Sequence, residues 1–191
     1  MDFEKKLEEQ ILKHMSSWSN TGIYAISFLV TFNESSTYMG IINFPEFSVG
    51  YNTEKDCGNA SLLSEERWNF ACWPQNNEVI LDANQTDISN ELIQWYKDQG
   101  ILDIGHESED GMYDETFNYV GKGPNGYSEL TSLISNIARK LQKEGEIRKR
   151  FGTIPIIVHG LEYCKYTLKM TKNANPNGEA KVFLKYLSRM T

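Results

Sequence analysis

Histidine, proline and cysteine are scarce in this 191-residue chain, at three, five and three residues. Cys57, Cys72 and Cys164 match neither a zinc spacing nor a redox pair, and an odd number is a poor disulfide framework, so reduced thiols are expected. No apolar run approaches the ~20 residues that span a bilayer. The N-terminus is charged and helical in pattern without an apolar leader core, and the expectation is a cytoplasmic protein that does not engage membranes. Basic charge is also in short supply: 19 Lys and Arg stand against 26 Asp and Glu, for a net charge of −7 and a pI near 5.1. Such a chain repels phosphate backbones, which argues against a nucleic-acid partner.

What is present is the composition of a packed globular protein, 40% apolar and 12% aromatic. The length suits a single domain over residues 1–191, able to bury a core without staples. Asp2 caps a helical stripe of Phe3, Leu7, Ile11, Met15 and Trp18. Residues 23–32 form the clearest strand, with Tyr24, Ile26, Phe28, Val30 and Phe32 on one face and Ile23, Ala25, Ser27, Leu29 and Thr31 on the other. Residues 37–44 read as its hairpin partner, stopped by Pro45, and residues 47–59 as a long loop.

A short helix over 61–66 should then lead to a strand over 67–73, paired with 78–81 through a turn at 74–77. Thr86 or Asp87 opens a helix that Gly100 closes, with Ile101 at the apolar position of a Schellman motif. Ser128 caps the most regular helix, ending at Gly145, and the basic stretch 139–150 reads as its solvated end. The apolar run 154–158 is a buried strand carrying His159 to its edge. A helix through Leu161, Cys164, Leu168 and Thr171 follows, and Asn175 with Pro176 starts the last one. Together these elements predict an α+β fold with a mainly antiparallel sheet of about four to five strands covered by helices.

Four places could carry chemistry. Gly121-Lys-Gly-Pro-Asn-Gly126 matches a phosphate-loop pattern before a helix, but no buried strand precedes it and Pro124 removes an amide, which leaves a connecting loop or a simple anion site with Lys122. His106, Glu107, Glu109, Asp110, Asp114 and Glu115 concentrate oxygen ligands. With Gly111 at the sixth position of a calcium loop, however, positions one and twelve fall on His106 and Phe117, so a solvated acidic turn is the better description. His159 and Glu162 stand three apart across a strand-to-helix turn and are the candidate catalytic pair. Trp68, Trp73, Arg67 and Tyr163 are the candidates for ligand or partner binding. No metal or cofactor is expected.

Residues 67–73 (Arg-Trp-Asn-Phe-Ala-Cys-Trp), 154–163 (Ile-Pro-Ile-Ile-Val-His-Gly-Leu-Glu-Tyr) and 173–179 (Asn-Ala-Asn-Pro-Asn-Gly-Glu) resemble a family of small uncharacterised bacterial proteins, a domain of unknown function. The resemblance implies one cytosolic α+β domain and carries over no activity or site residue. Small acidic α+β proteins of this sort include immunity proteins of toxin systems, an analogy of class. Two functions stay open: a non-enzymatic binding module for a protein partner, immunity-protein-like, or a small-molecule enzyme such as a hydrolase using His159 and Glu162. An exposed apolar patch beside the acidic loop would favour the first, a closed pocket lined by His159 the second.

Overall fold

The structure, a computed structural model, describes residues 2–19, 21–32, 35–58, 60–107, 115, 121 and 123–189. It is α+β. Helix α1 (Phe3–Ser16) opens with Asp2, whose carboxylate accepts the Glu4 amide at 3.4 Å. Its stripe of Phe3, Leu7, Ile11 and Met15 is buried as the spacing requires. Strand β1 (Ile23–Phe32) follows with its expected limits.

The next stretch departs from the sequence reading. Residues 37–44 fold into a separate small hairpin, β2 (Thr37–Tyr38) and β3 (Ile41–Ile42). Pro45 opens the true partner, β4 (Pro45–Thr53), in place of the expected loop. Proline is tolerated at the first position of a strand, which is why it marked a boundary but the wrong side of one. Residues 67–73 are not a strand either. Helix α2 (Glu65–Trp68) ends there, and a tight 3-10 turn over residues 70–72 begins with the Asn69 side chain accepting the Ala71 amide at 3.0 Å. The alternation of Trp68, Phe70 and Cys72 came from an irregular segment that buries Trp68, Phe70 and Trp73 while leaving Cys72 exposed.

Strand β5 (Glu78–Leu81) pairs antiparallel with β4, and Asn76 extends that ladder: its amide accepts from the Tyr51 N–H at 3.2 Å and donates to the Tyr51 carbonyl at 3.0 Å. Helix α3 (Thr86–Asp98) ends in the expected Schellman geometry, with Gly100 at φ 72° and the Ile101 N–H on the Tyr96 carbonyl at 2.9 Å. Helix α4 (Tyr127–Glu144) is capped by left-handed Gly126, two residues before the expected Ser128 cap, and stops at Gly145. The basic stretch beyond is a helix of its own, α5 (Glu146–Phe151).

Strand β6 (Ile156–His159) joins β1 in parallel, giving a sheet of order β5-β4-β1-β6. The sheet is therefore mixed, not mainly antiparallel, because the chain crosses over through α3 and α4 before returning beside β1. Strand β1 is central, and β6, buried as expected, is nevertheless an edge of the sheet. The edge is closed by helix α6 (Lys165–Ala174) and its C-terminal Asn175, which ends that helix instead of starting the next. The last helix is α7 (Lys181–Leu187).

Two cores cover the two faces. On the first, α1, α3 and α4 pack against Ile26, Phe28, Val30, Phe47, Val49, Ile156 and Val158. On the second, Tyr24, Ala25, Leu29 and Ile157 meet Trp68, Phe70, Trp73 and the Phe183, Tyr186 and Leu187 stripe of α7. A bulge at Tyr24, between the Ile23–Thr53 and Ala25–Asn52 pairs, sends Tyr24 to the second face and Ile23 to the first, the reverse of simple alternation. Among the described residues no helix is long and apolar enough to cross a membrane.

Candidate functional site

His159 ends β6, on the second face of the sheet. Its Nδ1 lies 2.7 Å from the Gly160 carbonyl, which can only accept, so the proton resides on Nδ1. Nε2 is then the acceptor for the Ser27 hydroxyl at 2.8 Å. The ring packs against Phe70 at 4.9 Å between centroids and edge-on to Tyr163 at 5.2 Å. It is 1% exposed. Burial lowers its pKa from 6.5 to about 4, only partly offset by the hydrogen bond to Gly160. Glu162 lies on the exposed turn that follows, and both imidazole nitrogens are committed elsewhere.

Arg67, Trp68, Trp73 and Tyr163 converge around the same layer, with their polar atoms turned inward. The buried Arg67 guanidinium donates to both carboxylate oxygens of Glu54, at 2.8 and 2.5 Å, and to the Cys57 sulfur at 3.4 Å, while lying 4.0 Å over the Tyr24 ring. Its hydrogen bonds hold the Glu54 carboxyl below the usual carboxylate range. The Arg67 carbonyl accepts from the Tyr24 hydroxyl at 2.5 Å and from the Trp73 indole at 3.0 Å. Trp68 donates to the Leu62 carbonyl at 2.7 Å, and the Tyr163 hydroxyl donates to the Trp68 carbonyl at 2.8 Å and accepts from the Phe70 amide at 3.2 Å.

The physical need for this network is plain. An irregular segment over 61–73 has been laid on a hydrophobic sheet face, and its backbone groups require partners that no ladder supplies. Burial raises the Tyr24 and Tyr163 pKa values, so both phenols stay neutral donors. Five of the six sequence candidates thus meet in one sealed polar and aromatic layer.

The glycine loop has a packing explanation. A side chain at Gly126 would come within 2.8 Å of the Tyr96 ring, whose hydroxyl donates to the Gly126 carbonyl at 3.1 Å. A cleft of about 390 Å³ lies between residues 100–102 and 123–129, with Glu129 on its wall, where a carboxylate opposes an anion. Lys122 lies outside the described residues, as do Glu109, Asp110 and Asp114 of the acidic loop. Among the described residues no group of three or more His, Cys, Asp or Glu side chains is placed to hold a metal ion.

A surface that sequence reasoning missed lies at the β2–β3 hairpin. Met39 and Gly40 form its two-residue turn, both left-handed at φ 50° and 83°. Met39 is 76% exposed, Ile42 56%, and Leu102 on the neighbouring loop 74%. The loop is pinned to the hairpin, with the Asn43 side chain donating to the Gly105 carbonyl at 2.9 Å and Gly105 so close that a Cβ would fall 2.1 Å from the Ile42 carbonyl. From there it runs into His106 and Glu107. The dipeptide Met-Gly between apolar residues was the available signal, hidden by reading 37–44 as one strand.

No family model matches the chain, nor does any curated protein or solved structure.

Proposed function

We propose that the chain is a non-enzymatic binding module for a protein partner, immunity-protein-like in its use of a small acidic α+β scaffold. The observation that carries this reading is the exposure of three large apolar side chains, Met39 and Ile42 on the β2–β3 hairpin and Leu102 on the loop whose Gly105 backbone packs against that hairpin. Large apolar side chains left exposed on a hairpin and on the loop bonded to it suit a contact surface. A net charge of −7 supports a protein partner over a nucleic acid.

The enzyme reading has one observation in its favour. Ser27, His159 and the Gly160 carbonyl form a hydroxyl, base and orienting acceptor in series, the hydrogen-bond order of an activated serine. Ser27 and His159 are both buried, with Phe70 and Tyr163 packed against the imidazole, and the ring nitrogens are bonded to Ser27 and Gly160 instead of Glu162, so the reading lacks a route for substrate. A fluorophosphonate probe separates the two. Unlabelled Ser27 in native protein is expected of the binding module, whereas stoichiometric labelling that His159→Gln abolishes would replace it with a serine hydrolase.

A further inference from the structure

We propose that helix α6 is a contact face for an acidic segment of a protein partner, held by Lys165, Lys169 and Lys172, a second surface beyond the hairpin on which the binding-module reading rests. The helix period supplies the geometry. Thr167, Met170, Thr171 and Ala174 are buried, and residues spaced by four and three line up on the face opposite them, so Lys165, Lys169 and Lys172 stand in one row, all exposed. Beside the row, Tyr166 and Asn173 bond to α4. The Tyr166 hydroxyl donates to the Ser128 carbonyl at 2.9 Å, and the Arg139 guanidinium donates to the Asn173 carbonyl and to its Oδ1 at 3.2 and 3.1 Å. Arg139 thereby brings a further positive charge to the C-terminal end of α6.

The electrostatics of this row oppose the helix that carries it. Like charges four and three residues apart repel, Lys165 occupies the first helical position, where the macrodipole is positive, and no acidic residue stands in the first turn. Among the described residues Lys165, Lys169, Lys172 and Arg139 form no ion pair, with Glu162 on the preceding turn and Glu129 of α4 included, whereas Lys5, Lys6, Arg67, Lys140 and Lys149 each have a carboxylate partner. Carboxylates laid along the row would remove the repulsion and meet the positive end of the helix as well.

Charge also selects the class of partner. From residue 160 onward six Lys and Arg stand against two Glu, while before it thirteen stand against twenty-four Asp and Glu. An extended polyanion such as a nucleic acid meets the repulsion of that acidic remainder, and a row spanning about 10 Å gives it few phosphate contacts in return. A locally acidic protein segment needs only the row itself, and Glu or Asp side chains one helical turn apart match its spacing.

The test is an NMR titration of the isotope-labelled chain at low ionic strength. The probe is a soluble peptide of alanine and glutamate with its glutamates one helical turn apart, and inorganic phosphate and a duplex DNA oligonucleotide are titrated beside it. The expected result is saturable shifts at the amides of residues 165–173 with the peptide. Affinity should fall about tenfold in Lys165→Gln/Lys169→Gln/Lys172→Gln and should weaken as salt is added. Lys149→Gln, which removes a lysine already paired with Glu146, should bind as wild type does. Glutamine keeps the helix propensity of lysine, so the triple variant folds. In Lys169→Glu the thermal midpoint should rise, as the like-charge row is broken, while peptide binding is lost.

Unchanged affinity in the triple variant, or shifts confined to residues outside α6, overturns the proposal. Binding of DNA or phosphate as tight as that of the peptide replaces it with a general anion site, and a wild-type dimer that the triple variant dissociates replaces the partner with a second copy of the chain. Each of these outcomes leaves the binding-module reading standing, since that reading falls separately, by labelling of Ser27.

Discussion

At the scale of single residues, His159 couples the fold to pH. Its folded-state pKa is lowered by burial from 6.5 to about 4, so between those values the unfolded chain takes up a proton that the folded chain excludes. The stability it contributes is complete above about pH 6.5 and is lost as the pH falls toward 4, a change of about 3 kcal/mol over the window. Urea unfolding at pH 7 and pH 4.5 measures this, and His159→Gln should flatten the part of the profile that His159 supplies. An equally steep profile in that variant would assign the acid sensitivity to the carboxylates. Met39 carries the opposite lesson. Replacing it with Asn should raise stability by about 1 kcal/mol, because the left-handed turn position favours asparagine.

At the scale of elements, the sheet is finished by side chains. Strand β6 is an edge whose outward N–H and C=O groups would otherwise be buried without partners. Asn175 accepts the Ile156 N–H at 2.9 Å and donates to the Ile156 carbonyl at 2.7 Å, so one amide replaces a neighbouring strand. It also donates to the Thr171 carbonyl and accepts from Gln142. Thr171 repeats the device one pair further along, with its hydroxyl on the Val158 N–H and carbonyl at 3.1 and 3.3 Å. Asn175→Ala should cost about 3 kcal/mol or more in chemical unfolding, since several buried backbone and amide groups lose their partner at once, and Thr171→Val about 1–2 kcal/mol. A neutral Asn175→Ala would mean that water or a shifted strand takes its place. Only the asparagine before a proline was visible in the sequence. It was read as the start of a helix because that is its commonest local role, while its actual role is set by the proximity of β6.

At the scale of the whole molecule, β1 is the axis: it is bonded to β4 and β6 and covered by a hydrophobic core on each face. Hydrogen exchange should show the amides of Ile26, Phe28 and Val30 opening only with global unfolding, and those of the β2–β3 hairpin exchanging far faster. Hairpin amides as slow as those of β1 would contradict this order. Consecutive residues alone specify α1, β1, β5, α3 and α4, through a period, a run or a cap: the Asp2 cap, the mostly apolar residues 23–30, the Gly100 and Gly145 stops. The sequence also singled out Arg67, Trp68, Trp73, Tyr163 and His159 as unusual. Tertiary structure decided what they do, because a tryptophan indole or an arginine reads the same in sequence whether it faces a ligand or the backbone of residues 61–73. It also decided that β6 runs parallel beside β1 and that Met39 stands exposed, since strand partners and exposure depend on residues far apart in the chain, which no local pattern encodes.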